Sequence, residues 1–272
     1  MTTMTPAPAP PPWSLRATIY TIPLYTTASV AASRAFNEAA YAPLEAAAPF
    51  ASSTLSTPVG GLSMVQLIRY SSSPVGAYDE MLLIPGKFRY VVDGKDGKRE
   101  SKDALRVTRI YVSQRETCYN GRKNWNIPKH LARFEWVDKP EGTTIKVFPL
   151  HSDSPDPYFQ ATFTAWSYVP ALPVSTRALS SLVDMTLVQP PLPSGAGEPG
   201  DAAALAGTDT WCKVVPYIYS PRARLGWIDL QQAGGGPFAP FSARRWLVGA
   251  KLEDAVVEFG DGETWETPAS SE

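Results

Sequence analysis

Lys129 is the residue best suited to covalent chemistry, because it lies in a largely apolar segment rather than in a run of charged residues. A lysine amine becomes nucleophilic near neutral pH only where burial or a neighbouring cation disfavours its ammonium form. Trp125, Ile127 and Leu131 can exclude water from this amine. Lys129 is therefore the candidate nucleophile for capturing a carbonyl compound as an imine. The alternative is that it is one more solvated surface lysine.

Nearby positive charge would favour the neutral amine further. Arg122 and His130 lie close to Lys129 in the sequence. Pro128 can begin a short helix, and the first turn of a helix carries partial positive charge. These three features predict that the pKa of Lys129 is below its ordinary value. The alternative roles of Arg122 and His130 are binding of an anionic substrate or simple solvation at a helix end or at the surface.

Two motifs, in the same order along the chain, resemble motifs of acetoacetate decarboxylases. Gly121-Arg122, five further residues and then Pro128-Lys129 resemble the segment that carries the imine-forming lysine of that family. Upstream, the segment from Gly76 to Glu80 resembles a Gly-x-Tyr-x-Glu stretch that holds an active-site glutamate. The resemblance covers the region from Met64 to Trp136. It is greatest to divergent acetoacetate decarboxylase-like proteins of filamentous fungi.

The resemblance implies a role for each matching residue. Lys129 would be the imine-forming lysine, and Glu80 would transfer or align a proton. The other candidate site residues would bind substrate or tune the pKa of Lys129, and these are Tyr78, Trp125, Gln66, His130 and Arg122.

Three positions depart from the family pattern. The chain has His130 where the family has a second lysine, and Gln66 in the strand where the family has a second glutamate. Histidine is a cation only part of the time near pH 7, and glutamine carries no charge. The family's substrate-binding arginine near the N-terminus has only Arg16 as a possible counterpart. Lysine chemistry with a different substrate or a different reaction is therefore left open.

The sequence predicts a Schiff-base-forming, lyase-type enzyme that acts through Lys129 on a keto acid or another small carbonyl compound. From the protonated imine, decarboxylation, aldol or retro-aldol steps and dehydration all remain open. The alternative is a catalytically silent β-barrel that binds an apolar small molecule. An enclosed pocket around a lysine whose pKa is not lowered would favour this alternative.

Composition excludes several classes of partner. The 272 residues are 44% hydrophobic, and 25 Lys and Arg against 26 Asp and Glu give a net charge of -1. Without a basic block among exposed aromatics, neither nucleic acid nor an anionic membrane is an expected partner. Residues 1–12 lack the basic start and apolar core of a secretory signal, so a cytoplasmic location is expected. The expected partners are a small carbonyl substrate and, as the resemblance implies, further copies of the chain.

No metal and no cofactor is expected. The chain contains two histidines, His130 and His151, and its two cysteines, Cys118 and Cys212, are not at metal-ligand spacing. Two isolated cysteines fit a reducing compartment better than a disulfide framework.

Periodicity and turn residues predict many strands and few helices. The alanine-rich stretch Ser29 to Ala48 predicts a helix that Pro43 ends or kinks, and Val174 to Val183 predicts a second helix. Strands are predicted at residues 64–70, 81–84, 88–93, 105–113, 133–137, 143–148, 158–168, 185–188, 211–219, 225–230 and 255–259.

This pattern predicts one α+β, predominantly β domain over residues 13–272, preceded by a flexible Pro-rich tail over residues 1–12. Residues 190–208 and the glycines at 234–236 are expected to form loops. The resemblance implies an acetoacetate decarboxylase-like closed β-barrel with flanking sheets and a few helices, with Lys129 in the barrel interior.

Overall fold

The structure is a computed structural model that describes residues 4–51, 56–94, 98–150, 156–181, 183–195, 203–230 and 246–267. Its strands are β1 (Trp13–Thr26), β2 (Ser56–Ser72), β3 (Tyr78–Ile84), β4 (Lys87–Asp93), β5 (Arg99–Leu105), β6 (Arg109–Val112), β7 (Lys129–Lys139), β8 (Gly142–Pro149), β9 (Phe159–Ala165), β10 (Leu172–Ser175), β11 (Leu187–Gln189), β12 (Trp211–Val214), β13 (Tyr217–Leu230), β14 (Trp246–Phe259) and β15 (Glu263–Trp265). Its helices are α1 (Ala28–Ala31), α2 (Arg34–Ala40), α3 (Pro43–Ala46), the 3-10 helix Pro49–Ala51 and α4 (Arg115–Trp125).

Nine strands form a closed barrel in the order β1-β14-β13-β9-β8-β7-β6-β3-β2, and pairing of β1 with β2 closes the ring. Its interior is identified by contacts between strands that are not neighbours. The ring of Tyr20 on β1 lies 5.8 Å from that of Trp136 on β7 and 5.5 Å from that of Phe163 on β9. The predicted predominantly β fold with a closed barrel is confirmed.

The outer wall of the barrel packs against a second layer. Strands β4, β5, β11, β12 and β15 form a flanking sheet, which joins the barrel through the start of β2. Between these layers lies an apolar cluster that includes Leu15, Ile68 and Val257 from the barrel and Leu187 and Val214 from the flanking sheet.

Helix α4 connects β6 to β7, which pair in parallel. Parallel neighbours cannot be joined by a tight hairpin, so the chain must cross over one face of the sheet, and α4 is this crossover. Cys118 and Trp125 of α4 belong to the apolar cluster on the outer wall. The crossover therefore places α4 directly over the beginning of β7, outside the barrel.

Three predictions of helical structure are wrong. The helix predicted from Ser29 to Ala48 is divided into α1, α2 and α3, because Ser33 caps a new helix and Pro43 begins another. Within the helix predicted from Val174 to Val183, Val174 and Ser175 instead end strand β10, which pairs with β13, and residues 176–181 form turns. Pro128 does not begin a helix, since β7 starts at the next residue and the helix lies upstream.

The residues before β1 contact α4. Asn120 accepts a hydrogen bond from the Ala9 amide and donates one to the Ala7 carbonyl, and Asn124 donates to the Ala9 carbonyl. The division into a tail and one domain stays a prediction.

His151 and the glycines at 234–236 lie outside the described residues. Among the residues described, no helix combines the length and hydropathy needed to span a membrane.

Candidate active site

Lys129 is the first residue of β7 and follows α4 after a sharp change of direction. Asn126 ends α4 in a left-handed conformation with φ 54°, and its side-chain amide donates to the carbonyls of Pro190 and Thr210. Lys129 then pairs with Ile110 of β6, and only 4% of its surface is exposed. The turn at Asn126 thus delivers a buried lysine beneath the helix that precedes it.

The amine of Lys129 has three partners. Its Nζ lies 2.8 Å from Oε2 of Glu80, donates to Oγ1 of Thr117 at 2.9 Å, and lies 5.1 Å from the centre of the Tyr78 ring. Lys129, Glu80 and Tyr78 were all candidates from the sequence, and the structure brings them together.

Glu80 reaches this amine from β3, where only 3% of its surface is exposed. The hydroxyl of Tyr70, on the neighbouring strand β2, donates to Oε1 of Glu80 at 3.1 Å. The rings of Tyr70 and Tyr78 lie 4.4 Å apart. One carboxylate oxygen therefore faces the amine while the other is held by a tyrosine.

A cavity of about 60 Å³ lies beside this cluster, between the outer wall of the barrel and the flanking sheet. Lys129, Glu80, Tyr70, Tyr78 and Gln66 supply its polar lining, and the rest is almost entirely apolar. The resemblance implied that Lys129 lies in the barrel interior. The structure instead places it outside the barrel. Its side chain lies on the outer face of β7 with Leu131, whereas Ala132 lies on the inner face.

The pKa of Lys129 is raised above its ordinary value, so the predicted lowering is wrong for this arrangement. Burial is the largest single influence and lowers the pKa, but the charge of Glu80, with Tyr78, raises it by more. Burial raises the pKa of Tyr78 to about 12 and that of Tyr70 well above 10.0. The resting site is thus an ammonium-carboxylate pair between two neutral phenols.

His130 does not act on this amine, because neighbouring residues of a strand point to opposite faces. Its Nε2 lies 2.7 Å from Oε2 of Glu45 in α3. Arg122 also contacts Glu45, with Nη1 2.9 Å from Oε1. The two residues expected to lower the pKa of Lys129 instead contact a buried carboxylate that the sequence analysis did not single out.

Arg122 fixes the backbone of the site rather than the amine. It is fully buried, and its guanidinium donates to the carbonyl oxygens of Lys129, Pro193 and Ala206 as well as to Glu45. A planar guanidinium has several donors in a fixed arrangement, so it can bind all of these acceptors at once. These hydrogen bonds hold the start of β7 near Pro193 and Ala206.

The remaining candidates form the wall of the cavity. Gln66 lines it and donates to Oγ1 of Thr21 at 3.2 Å. Trp125 lines it too, held by a hydrogen bond from Nε1 to the Gly260 carbonyl and by an edge contact with Trp13. Arg16 is exposed on β1, with its neighbours Leu15 and Ala17 facing the core, so it does not reach the cavity.

Sequence reasoning missed Thr117, Tyr70 and Glu45. Thr117 lies in α4, which was not predicted. Tyr70 lies within a predicted strand, but the sequence did not show which residues of the neighbouring strand it contacts. Gly121 was noted only as part of a motif. The part of the chain that the structure describes contains no group of three His, Cys, Asp or Glu residues that could hold a metal ion.

Solved structures match this chain over nearly its whole length. Acetoacetate decarboxylase from Legionella pneumophila has a TM-score of 0.60 at 15% sequence identity, with 98% of this chain and 94% of that chain covered. This chain has the acetoacetate decarboxylase-like fold. An acetoacetate decarboxylase-like enzyme from Sphingomonas wittichii RW1 gives a TM-score of 0.59 at 12% identity, covering 98% of this chain and 99% of that one.

The enduracididine biosynthesis enzyme MppR, complexed with the condensation product of pyruvate and imidazole 4-carboxaldehyde, gives a TM-score of 0.57 at 12% identity, with 98% and 99% of the two chains covered. No protein-family model and no curated protein matches the sequence.

Proposed function

We propose that this protein is an imine-forming, lyase-type enzyme in which Lys129 binds a small carbonyl substrate covalently. The observation that carries the proposal is the contact between the buried Lys129 amine and Glu80, 2.8 Å apart, at the wall of a largely apolar cavity. The fold adds support, because its structural neighbours include acetoacetate decarboxylases and MppR, the latter also complexed with pyruvate.

The Lys129–Glu80 pair contains the protons that imine formation needs. Glu80 first accepts a proton from Nζ, which leaves a neutral amine and a neutral carboxylic acid. The amine attacks the carbonyl carbon, and its proton moves to the oxygen to give a carbinolamine. Glu80 then protonates the hydroxyl, which leaves as water while the nitrogen lone pair forms the C=N bond. The result is a cationic iminium opposite the Glu80 carboxylate.

A raised pKa of Lys129 is compatible with this sequence of steps. The iminium carries its positive charge on the same nitrogen as the resting ammonium, so the Glu80 charge that favours one also favours the other. Transfer of the first proton costs free energy, but both partners are buried and the proton moves only between atoms 2.8 Å apart.

Tyr78 and Tyr70 act on this pair through hydrogen bonding and packing. Both phenols remain protonated near neutral pH, because burial raises their pKa values. Tyr70 can therefore donate to Glu80 throughout the cycle, and we assign it the role of orienting that carboxylate. Gln66 and Trp125 are proposed to contact the substrate from the cavity wall.

Once formed, the iminium withdraws electrons from the adjacent carbon. Loss of carbon dioxide, aldol-type cleavage or condensation, and dehydration can all proceed from it. The absence of a second glutamate at Gln66 favours the aldol-type and dehydration steps over decarboxylation. We expect weak or no release of carbon dioxide from acetoacetate.

Borohydride trapping tests the proposal. Small ketones and keto acids are incubated with the protein and cyanoborohydride, and peptide mapping should find the added mass on Lys129. In the variant Lys129→Met combined with Glu80→Gln, which contains no unpaired charge at the site, this labelling should vanish. Labelling spread over surface lysines, with Lys129 unmodified, would contradict the proposal.

The second candidate function is a catalytically silent barrel that binds an apolar small molecule. The raised pKa of Lys129 in an apolar cavity favours it. This alternative predicts that an apolar ketone binds equally well to wild type and to the double variant. Assembly as a homo-oligomer, a cytoplasmic location and a relationship to fungal members of the superfamily stay predictions.

A further inference from the structure

We infer that the cavity at Lys129 takes an uncharged ketone or aldehyde with an apolar chain in preference to a keto acid. The inference rests on the proposed function of Lys129 and names the substrate class of the same site.

The charges that line the cavity already neutralise each other. Among the described residues that form its lining, Lys129 and Glu80 alone are charged, and they are 2.8 Å apart. The opposite walls are apolar and come from both layers of the fold, including Ile68 and Leu82 from the barrel and Leu187 from the flanking sheet. A carboxylate that entered would therefore find one cation, and that cation is already paired with a carboxylate.

Three arginines that could bind a substrate carboxylate near Lys129 do not face the cavity. Arg122 donates to Glu45 and to the backbone carbonyls of Lys129, Pro193 and Ala206. Arg106 is buried between the rings of Phe88 and Trp211 and donates to the Val188 carbonyl. Arg16 is exposed to solvent. Within the described part of the chain, none of these guanidiniums lines the cavity.

Burial of a second anion beside one cation is strongly unfavourable in a low-dielectric site. To bind Lys129, a substrate carboxylate would have to displace Glu80, which would leave the Glu80 carboxylate buried against Tyr70 alone. An uncharged carbonyl compound avoids this cost, because the charge of the pair is the same before and after the iminium forms.

The cavity also limits the size of the substrate. A volume of about 60 Å³ corresponds to roughly four water molecules. It favours compact carbonyl compounds with a short alkyl chain, and the apolar side chains of the wall must shift outward to admit them. The carbonyl oxygen would face the polar cluster of Lys129, Glu80 and Tyr78.

Matched pairs of small carbonyl compounds test the inference. Pyruvate and 3-methyl-2-butanone have the same number of non-hydrogen atoms, as do acetoacetate and 4-methyl-2-pentanone, and in each pair an isopropyl group replaces the carboxylate. The wild-type protein is labelled with each compound and cyanoborohydride, and the rate at Lys129 is divided by the rate measured with Nα-acetyl-lysine. The normalised rate should be at least about tenfold higher for each ketone than for its keto acid.

A cation placed in the cavity should reverse the preference. Gln66 lines the cavity with a polar side chain, so Gln66→Arg is expected to favour the keto acids, while the neutral control Gln66→Met should keep the preference for ketones. Faster labelling of wild-type Lys129 by the keto acids would overturn the inference and leave the proposed function intact. No labelling of Lys129 by either member of a pair would overturn both.

Discussion

A Cβ atom on Gly121 would lie 2.7 Å from both Cδ and Cε of Lys129. Side-chain carbons do not approach so closely, so the aliphatic part of Lys129 crosses α4 at the one point where the helix lacks a side chain. Gly121 of the Gly121-Arg122 motif therefore makes room for the Lys129 side chain. Arg122 donates a hydrogen bond to the backbone carbonyl of Lys129.

Gly121→Ala should displace the Lys129 amine from Glu80. The added methyl group must push the lysine chain sideways, and overpacking of this kind costs about 1–3 kcal/mol of folding free energy. Misplacement of a reacting atom by about 1 Å can reduce a rate by about 100-fold, and we expect a loss of that order in Lys129 trapping. Gly260→Ala is the matched control, because a Cβ there meets no atom within 4 Å. Equal trapping rates in the two variants would show that the contact does not matter.

Glu80→Gln should lower the pKa of Lys129. The charge of Glu80 is the main influence that raises this pKa, and burial, which lowers it, remains in the variant. The pH at which Lys129 reaches half its maximal rate of reductive methylation by formaldehyde should therefore move to a lower value. At saturating pH, trapping by a ketone should become slower, because the proton donor for loss of water is absent. If this midpoint pH were the same in Glu80→Gln and in wild type, the result would argue against an ion pair between Lys129 and Glu80.

His130→Gln should leave unchanged the midpoint, that is, the pH at which Lys129 reaches half its maximal rate of reductive methylation. His130 lies on the opposite face of β7 from the amine and contacts Glu45. The comparison with Glu80→Gln is direct, because both substitutions replace an ionisable side chain by glutamine within the same assay. If His130→Gln shifted the midpoint by as much as Glu80→Gln, His130 would have to act on Lys129 through the sheet.

Glu45 should make the stability of the protein depend on acid pH. Burial, its largest single influence, raises the pKa of this carboxyl, but His130 and Arg122 together lower it below the ordinary 4.5. A group whose pKa is lowered in the folded state contributes stability above its unfolded pKa and loses it as the pH falls through the folded pKa. Glu45→Gln should reduce the free energy of unfolding at pH 7 by about 3–5 kcal/mol. It should also flatten the pH dependence below 4.5, as measured by urea unfolding.

The sequence predicted the residues of the site better than their orientations. The spacing of Glu80 and Lys129 within recognisable motifs was enough to expect them together, because each motif matches a segment of one family. The orientation of His130 was not predictable in this way. A helix begun at Pro128 would have kept His130 near the Lys129 amine, whereas a strand begun at Lys129 directs it to the other face.

Helix α4 was not predicted for a related reason. Residues 115–125 contain few apolar side chains and include Thr117, Asn120 and Gly121, which are weak helix formers. The helix is instead required by the parallel pairing of β6 with β7, a long-range feature that local propensity does not encode. Closure of the barrel through β1 and β2 is equally non-local, and it was expected only from the family resemblance.

Loss of isotope from a labelled ketone tests most directly whether Lys129 forms an imine. Reversible imine formation replaces the carbonyl oxygen by oxygen from water, so 4-methyl-2-pentanone labelled with ¹⁸O should lose its label faster with the protein than without it. We predict that this exchange falls to the background rate in Lys129→Met combined with Glu80→Gln, and that Gly121→Ala lies between the two. Exchange at the same rate in wild type and in the double variant would contradict an imine at Lys129.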